Sequence, residues 1–153
     1  MNFSDAHRIP FGPSNGMIRT AAVADFNNDK LTDIVTIDEN AGVIFYPARG
    51  NSNFSAGIPL GDSQPSPYAL AIADLNRDGK TDIIVGYQHA RPIVFFNDGT
   101  GLHFTAVPFG DAKGTVYGFA IGDFNEDGMA DIAVAKSEGV SAVYFGGVKG
   151  RAK

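Results

Sequence analysis

Short apolar runs recur along this chain, each stopped by glycine, proline or a cluster of aspartate and asparagine. None carries the i, i+3, i+4 recurrence of an amphipathic helix, and several are rich in the β-branched residues that suit strands. The runs fall into three sets. Each set opens with a strand of small apolar residues, predicted over 20–26, 69–75 and 118–124. A second strand is predicted over 33–37, 82–85 and 131–134, and a third over 42–46, 93–96 and 141–145. A fourth follows over 54–60 and 104–109, in the first two sets alone. The small residues Ala21, Ala22, Ala71 and Ala120 suit a crowded innermost strand.

Between the first and second strand of every set lies the same polar loop. Asp74, Asn76, Asp78 and Asp82 hold positions 1, 3, 5 and 9 of the second loop, with Gly79 at position 6. Asp123, Asn125, Asp127, Gly128 and Asp131 repeat it, and Asp25, Asn27, Asp29, Lys30 and Asp33 precede it. The copies start 49 residues apart, from 25 to 74 and from 74 to 123. Alternate residues of a tight turn point the same way, so the side chains at positions 1, 3 and 5 converge. A positive φ at position 6 lets the backbone swing round. The carbonyl at position 7 (Leu31, Lys80, Met129) can then face inward, and the aspartate at position 9 closes a cage. Oxygen ligands only, mostly carboxylates, suit a hard cation of calcium's size. Up to three Ca2+ per chain are expected.

Lys30 stands where the other two loops have glycine. It must bear a left-handed backbone at about 1 kcal/mol, so the first site is expected to be the weakest. EF-hand and dockerin loops share positions 1, 3 and 5, but they need an acidic ligand at position 12 and a following helix. Here position 12 is Thr36, Val85 and Val134, inside strand-like runs, and both alternatives fall away. Acidic turns without metal are the plainer reading. Mutual repulsion of the crowded carboxylates argues against it.

A four-stranded antiparallel meander repeating every 50 residues or so marks a β-propeller blade. The expected fold class is all-β, a single unit over 1–153 with blades over 18–61, 67–110 and 116–147. Residues 2–12 end in Pro10-Phe11-Gly12, matching Pro59-Leu60-Gly61 and Pro108-Phe109-Gly110 at the ends of the fourth strands. They are expected to form an orphan outer strand, and the third blade to lack one. Propeller rings have roughly four to eight blades, so three cannot close alone. A homodimer is expected, forming a six-bladed ring in which each orphan strand completes the partner's third blade. A fragment of a longer propeller and a nine-bladed trimer are the other readings.

Composition trims the function classes. There are no cysteines, so neither disulfides nor thiolate chemistry enter. The net charge is −5, but nine of the seventeen acidic residues are the loop aspartates. Three divalent cations would bring the total to about +1. The acidity is local, and no basic nucleic-acid footprint is present. No apolar run approaches a membrane span. The opening Met1-Asn2-Phe3-Ser4-Asp5 has neither the basic start nor the apolar stretch of a secretory signal, which leaves a removed signal and an intracellular protein both open.

The loops, the strands before them and Tyr144-Phe145-Gly146-Gly147 in the third repeat resemble FG-GAP and VCBS-type repeats. These occur in integrin α-chain propellers and in many secreted bacterial and fungal proteins, and the likeness covers nearly the whole chain. Phe45-Tyr46-Pro47 and Phe95-Phe96-Asn97 depart from the FG-GAP signature. The resemblance implies a propeller with calcium in the first hairpin of each blade. It also implies extracellular binding of proteins or, as in fungal propeller lectins, of sugars.

Six residues before each first aspartate stand Arg19, Tyr68 and Tyr117, where an aromatic can stack on a sugar ring or simply pack a blade junction. His89 and Arg91 occupy the turn between the second and third strands of the second repeat, as ligand contacts or as a solvated turn. No nucleophile elbow, phosphate loop or repeated histidine–carboxylate pair points to an enzyme. A non-enzymatic, calcium-binding recognition module for carbohydrate or glycoprotein is expected. The alternatives are an integrin-like protein-interaction module and, as an outsider, a propeller lyase or hydrolase.

Overall fold

Eleven strands make up the described part of the chain, residues 7–147 of a computed structural model. The first sheet runs β1 (Ile18–Ala24), β2 (Asp33–Asp38), β3 (Gly42–Tyr46) and β4 (Ile58–Leu60). The second runs β5 (Pro67–Ala73), β6 (Asp82–Tyr87), β7 (Ile93–Asn97) and β8 (Phe104–Pro108). The third holds β9 (Thr115–Gly122), β10 (Asp131–Ser137) and β11 (Ala142–Tyr144). Chain neighbours pair antiparallel throughout, so each sheet is a simple meander. The chain is all-β among the described residues, and none of them forms a helix long and apolar enough to cross a membrane.

Three boundaries differ from the sequence reading, each for a local reason. The first strands end at Ala24, Ala73 and Gly122. Two residues on, the amides of Phe26, Leu75 and Phe124 donate to aspartate side chains, not to a ladder. β4 keeps only Ile58–Leu60. Upstream of it, Phe54 makes a lone bridge to Ala48 around a turn where Asn51 and Ser52 take left-handed φ angles. Of the expected orphan strand, residues 2–6 lie outside the described residues, and 7–12 carry no strand. Residues 148–153 also lie outside them.

Although it forms no ladder, the segment around Phe11 has a defined seat. Phe11 packs edge-on to Tyr46 with ring centroids 5.7 Å apart, and Phe109 meets Tyr144 likewise at 5.1 Å. A Cβ built on Gly12 would lie 3.1 Å from the Tyr46 hydroxyl, and one on Gly61 would lie 3.5 Å from the Phe95 ring. Positions 11, 60 and 109 are therefore equivalent, and so are 46, 95 and 144. Each Pro-apolar-Gly end rests on the third strand of the sheet that follows it.

Strand alternation divides the side chains between two joints. Phe26, Val35, Ile37, Val43, Phe45 and Leu60 of sheet 1 meet Ile83, Val85, Tyr87 and Phe95 of sheet 2. On its other face sheet 2 offers Leu75, Ile84 and Val94 to Val116, Ile132 and Val134 of sheet 3. β6 is consequently buried on both faces. Gly86 makes the second joint close, because a Cβ there would lie 2.6 Å from Cβ of Val116.

One core position breaks the pattern. Thr36 is fully buried where Val85 and Val134 stand in the other repeats, and its hydroxyl finds no hydrogen-bond partner among the described residues. Thr36→Val keeps the shape and removes an unpaired polar group, so it is expected to stabilise the protein by about 1 kcal/mol. Urea unfolding checks this: an unchanged or lowered midpoint would mean that the hydroxyl is satisfied.

Candidate metal loops and the aromatic row

The three polar loops fold alike, and hydrogen bonds explain why these residue types are needed. In the second loop the Asp74 carboxylate accepts the amides of Asp78 (3.2 Å) and Gly79 (2.9 Å). Oδ1 of Asn76 accepts the Asp78 amide, and its Nδ2 donates to Asp78. Oδ1 of Asp78 accepts the Lys80 amide at 2.9 Å. Loops one and three repeat every one of these bonds. Short acceptor side chains thus draw the backbone round themselves, as Asx turns do.

The backbone turns left-handed at position 6 as expected, at Lys30 (φ 69°), Gly79 (φ 80°) and Gly128 (φ 87°). A second left-handed residue occurs at position 4, in Asn28, Arg77 and Glu126, which the sequence pattern did not suggest. Only asparagine among these three is a residue type enriched in that conformation.

The aspartates at position 9 behave differently from the others. Asp33, Asp82 and Asp131 are fully buried. One oxygen of Asp82 accepts the Leu75 amide at 2.9 Å and the other the Asn97 amide at 3.0 Å. Asp33 takes the amides of Phe26 and Ala48, and Asp131 those of Phe124 and Gly146. Each carboxylate therefore clamps the end of the first strand to the end of the third. Burial pushes the Asp33 and Asp82 carboxyls above the usual carboxylate range, outweighing the amides that oppose it. Nearby Asp25 and Asp29, or Asp74 and Asp78, push the same way.

Among the described residues no three carboxylate or imidazole side chains are gathered as an ion would require. The donor chemistry nevertheless fits calcium. Each loop offers two outer carboxylates, an amide oxygen and main-chain carbonyls, and a carboxylate oxygen that accepts one N–H keeps a further lone pair. Asp25, Asn27 and Asp29, with their equivalents and the carbonyls of Leu31, Lys80 and Met129, are the ligands nearest to hand. Asp33, Asp82 and Asp131 would each ligate without giving up their clamp only through the remaining lone pairs.

The loops also touch the neighbouring sheet. Nδ2 of Asn97 donates to the Phe26 carbonyl at 2.8 Å, and Nδ2 of Asn28 to the Gly99 carbonyl at 3.1 Å. Loop one is thereby tied across the first joint.

Each matching stretch begins on one loop and ends just past the next. An FG-GAP-like repeat matches residues 25–85, from the first aspartate of loop one to position 12 of loop two, and again residues 74–134. The chain belongs to the FG-GAP-like repeat family. No curated protein matches it.

At the far end of the first strands, roughly 20 Å from the loops by strand rise, this FG-GAP-like chain carries a second constellation. The Arg19 guanidinium carbon sits 4.3 Å from the Tyr68 ring centroid, a cation–π distance. The Tyr68 and Tyr117 centroids are 4.9 Å apart, edge to face. Glu39 holds Arg19 by a 2.8 Å ion pair. Three equivalent positions thus form one continuous row, ending in Tyr117, which is 59% exposed. His89 and Arg91 do not contribute to this row. The Arg91 guanidinium donates to the carbonyls of Gly110 (3.0 Å) and Pro108 (3.2 Å), latching the end of β8. His89 lies exposed at its turn with a left-handed φ of 52°, its amide donating to Gly114.

Proposed function

We propose that the three sheets are blades of a β-propeller and that the protein is a non-enzymatic recognition module, stabilised by calcium, for carbohydrate or glycoprotein ligands. The observation that carries the reading is the row Arg19–Tyr68–Tyr117, half-buried at Tyr68 and exposed at Tyr117, which presents an aromatic surface beside a fixed cation. Such a surface stacks on the apolar face of a sugar ring and hydrogen-bonds its hydroxyls. Calcium would sit in the three loops at the opposite end, holding each hairpin. Its role would be structural, with affinities of roughly 10⁻⁴ to 10⁻³ M that suit an extracellular protein.

One observation favours a second reading. Glu39 fixes Arg19, so the row is not three identical sites but one asymmetric surface. That suits a protein ligand, as in an integrin-like module. A glycan array in millimolar calcium separates the two. Binding to glycans, weakened about tenfold or more by Tyr117→Ala, is the expected result. An array on which no glycan binds would end the carbohydrate reading.

A further inference from the structure

Loops one and two share a single buried side chain. Asn97 is the last residue of β7 and is 3% exposed. Toward loop two, its amide donates to the Asp82 carboxylate at 3.0 Å and its Nδ2 to the Thr81 carbonyl at 3.2 Å. Those residues are positions 9 and 8 of that loop. Toward loop one, the same Nδ2 donates to the carbonyl of Phe26, at position 2, at 2.8 Å. Oδ1 of Asn97 accepts the Gly99 amide, and the Gly99 carbonyl accepts Nδ2 of Asn28, at position 4 of loop one. The turn lies close as well: a Cβ built on Gly101 would stand 2.8 Å from Cβ of Asn27, at position 3.

The second joint lacks this link. The residue matching Asn97 in sheet 3 is Gly146, whose amide serves the Asp131 clamp and which has no side chain to reach Leu75, the counterpart of Phe26. What loop two offers loop three is the exposed Arg77, whose guanidinium lies 3.0 Å from a Cβ built on Gly128. A long exposed side chain reorients readily and transmits little displacement.

We propose that calcium binding at loops one and two is positively coupled through Asn97, while loop three binds on its own. The inference rests on the calcium reading above and adds to it how the sites act on one another. Among the described residues no loop gathers three carboxylates closely enough for an ion, so binding has to draw the ligands inward. In loop two Thr81 and Asp82 move with them and carry Asn97, which holds Phe26 directly and Asn28 through Gly99. An ion in loop two thus fixes part of loop one before that loop receives its own ion, and less freedom is left to lose. Linkage makes the effect reciprocal.

Amide NMR of the isotopically labelled 153-residue chain during a calcium chloride titration reads the loops separately. The reporters are the position-6 amides of Lys30, Gly79 and Gly128, each bonded to the first aspartate of its own loop. Asp74→Ala, at an exposed position, disables loop two. It should raise the loop-one dissociation constant about fivefold or more and leave that of loop three within about twofold. Asn97→Ala puts the residue type of the matching Ala48 at the link and keeps the backbone clamp. In that background Asp74→Ala should change loop one by less than about twofold. If Asp74→Ala fails to fold, Asp78→Ala replaces it. If Asn97→Ala fails, Asn28→Gly at an exposed left-handed residue removes the Gly99 limb and should weaken the coupling. A loop one indifferent to Asp74→Ala, or equally sensitive with and without the Asn97 side chain, would overturn the proposal. Loops that take up calcium independently overturn the coupling and leave the calcium reading standing; loops that take up none overturn both.

Discussion

Asp82→Asn is expected to destabilise the protein by about 2–4 kcal/mol, a large share of the 5–15 kcal/mol that holds a domain of this kind. Both oxygens of the fully buried Asp82 are taken, one by the Leu75 amide and one by the Asn97 amide. An asparagine has a single acceptor oxygen. Its NH2 group would face the second backbone N–H donor to donor, leaving a buried amide unpaired. Removing the charge recovers part of this loss, since burial already disfavours the ionised form. The lost clamp outweighs that relief, because two strand ends come loose together. Urea unfolding in the presence of a chelator isolates the effect from any ion, and for this chain length the melting temperature should fall by roughly 5–15 °C. A shift below about 0.5 kcal/mol would show that the amides find other acceptors and that the clamp is incidental.

That clamp marks the limit of what could be read from the residues alone. The 49-residue period was legible because one repeat cannot bury both faces of its own sheet. Phe26 and Leu75, or Phe45 and Val94, therefore had to recur at matching positions. The outer loop positions were legible too, since Asp and Asn at alternate residues draw local amides by short-range geometry. The second bond of Asp33, Asp82 and Asp131 was not. It runs to the amides of Ala48, Asn97 and Gly146, fifteen residues away. A backbone donor leaves no trace in residue type, so an invariant aspartate there looked like one more cage ligand. The row Arg19–Tyr68–Tyr117 was half legible. Alignment put the three side chains at one position, but only packing of the sheets set them within contact of each other. The N-terminal segment shows the converse: its Pro-apolar-Gly ending was recognisable, yet residues 7–12 form no ladder within a single chain. The structure keeps the contact at Phe11 without a strand over 7–12.

Calcium should raise stability further than any substitution lowers it. Buried carboxylates beside two more acidic groups are a standing liability at neutral pH. Because Asp33 and Asp82 have folded-state pKa values raised above the 3.8 of a free carboxyl, the stability they contribute is full below that value. It is lost as pH rises through their folded values. A divalent ion in the loop reverses that balance, since it favours the ionised form. Stabilisation by binding follows the ratio of free ion to dissociation constant. At about 10 mM calcium and constants of roughly 10⁻⁴ to 10⁻³ M, each site adds on the order of 1.4–2.7 kcal/mol, or about 4–8 kcal/mol for three. The loops should fill unequally, the one holding Lys30 last, because its left-handed side chain is already strained at φ 69°. Thermal unfolding across a calcium series should therefore show a rising melting temperature, and Asp78→Ala should remove one increment of it. Lys30→Gly should raise the affinity of the first loop. Magnesium at equal concentration should do little, since it requires near-ideal octahedral geometry and gives up its water reluctantly. A melting temperature that ignores calcium, or responds equally to both ions, would reduce these loops to hydrogen-bonded turns.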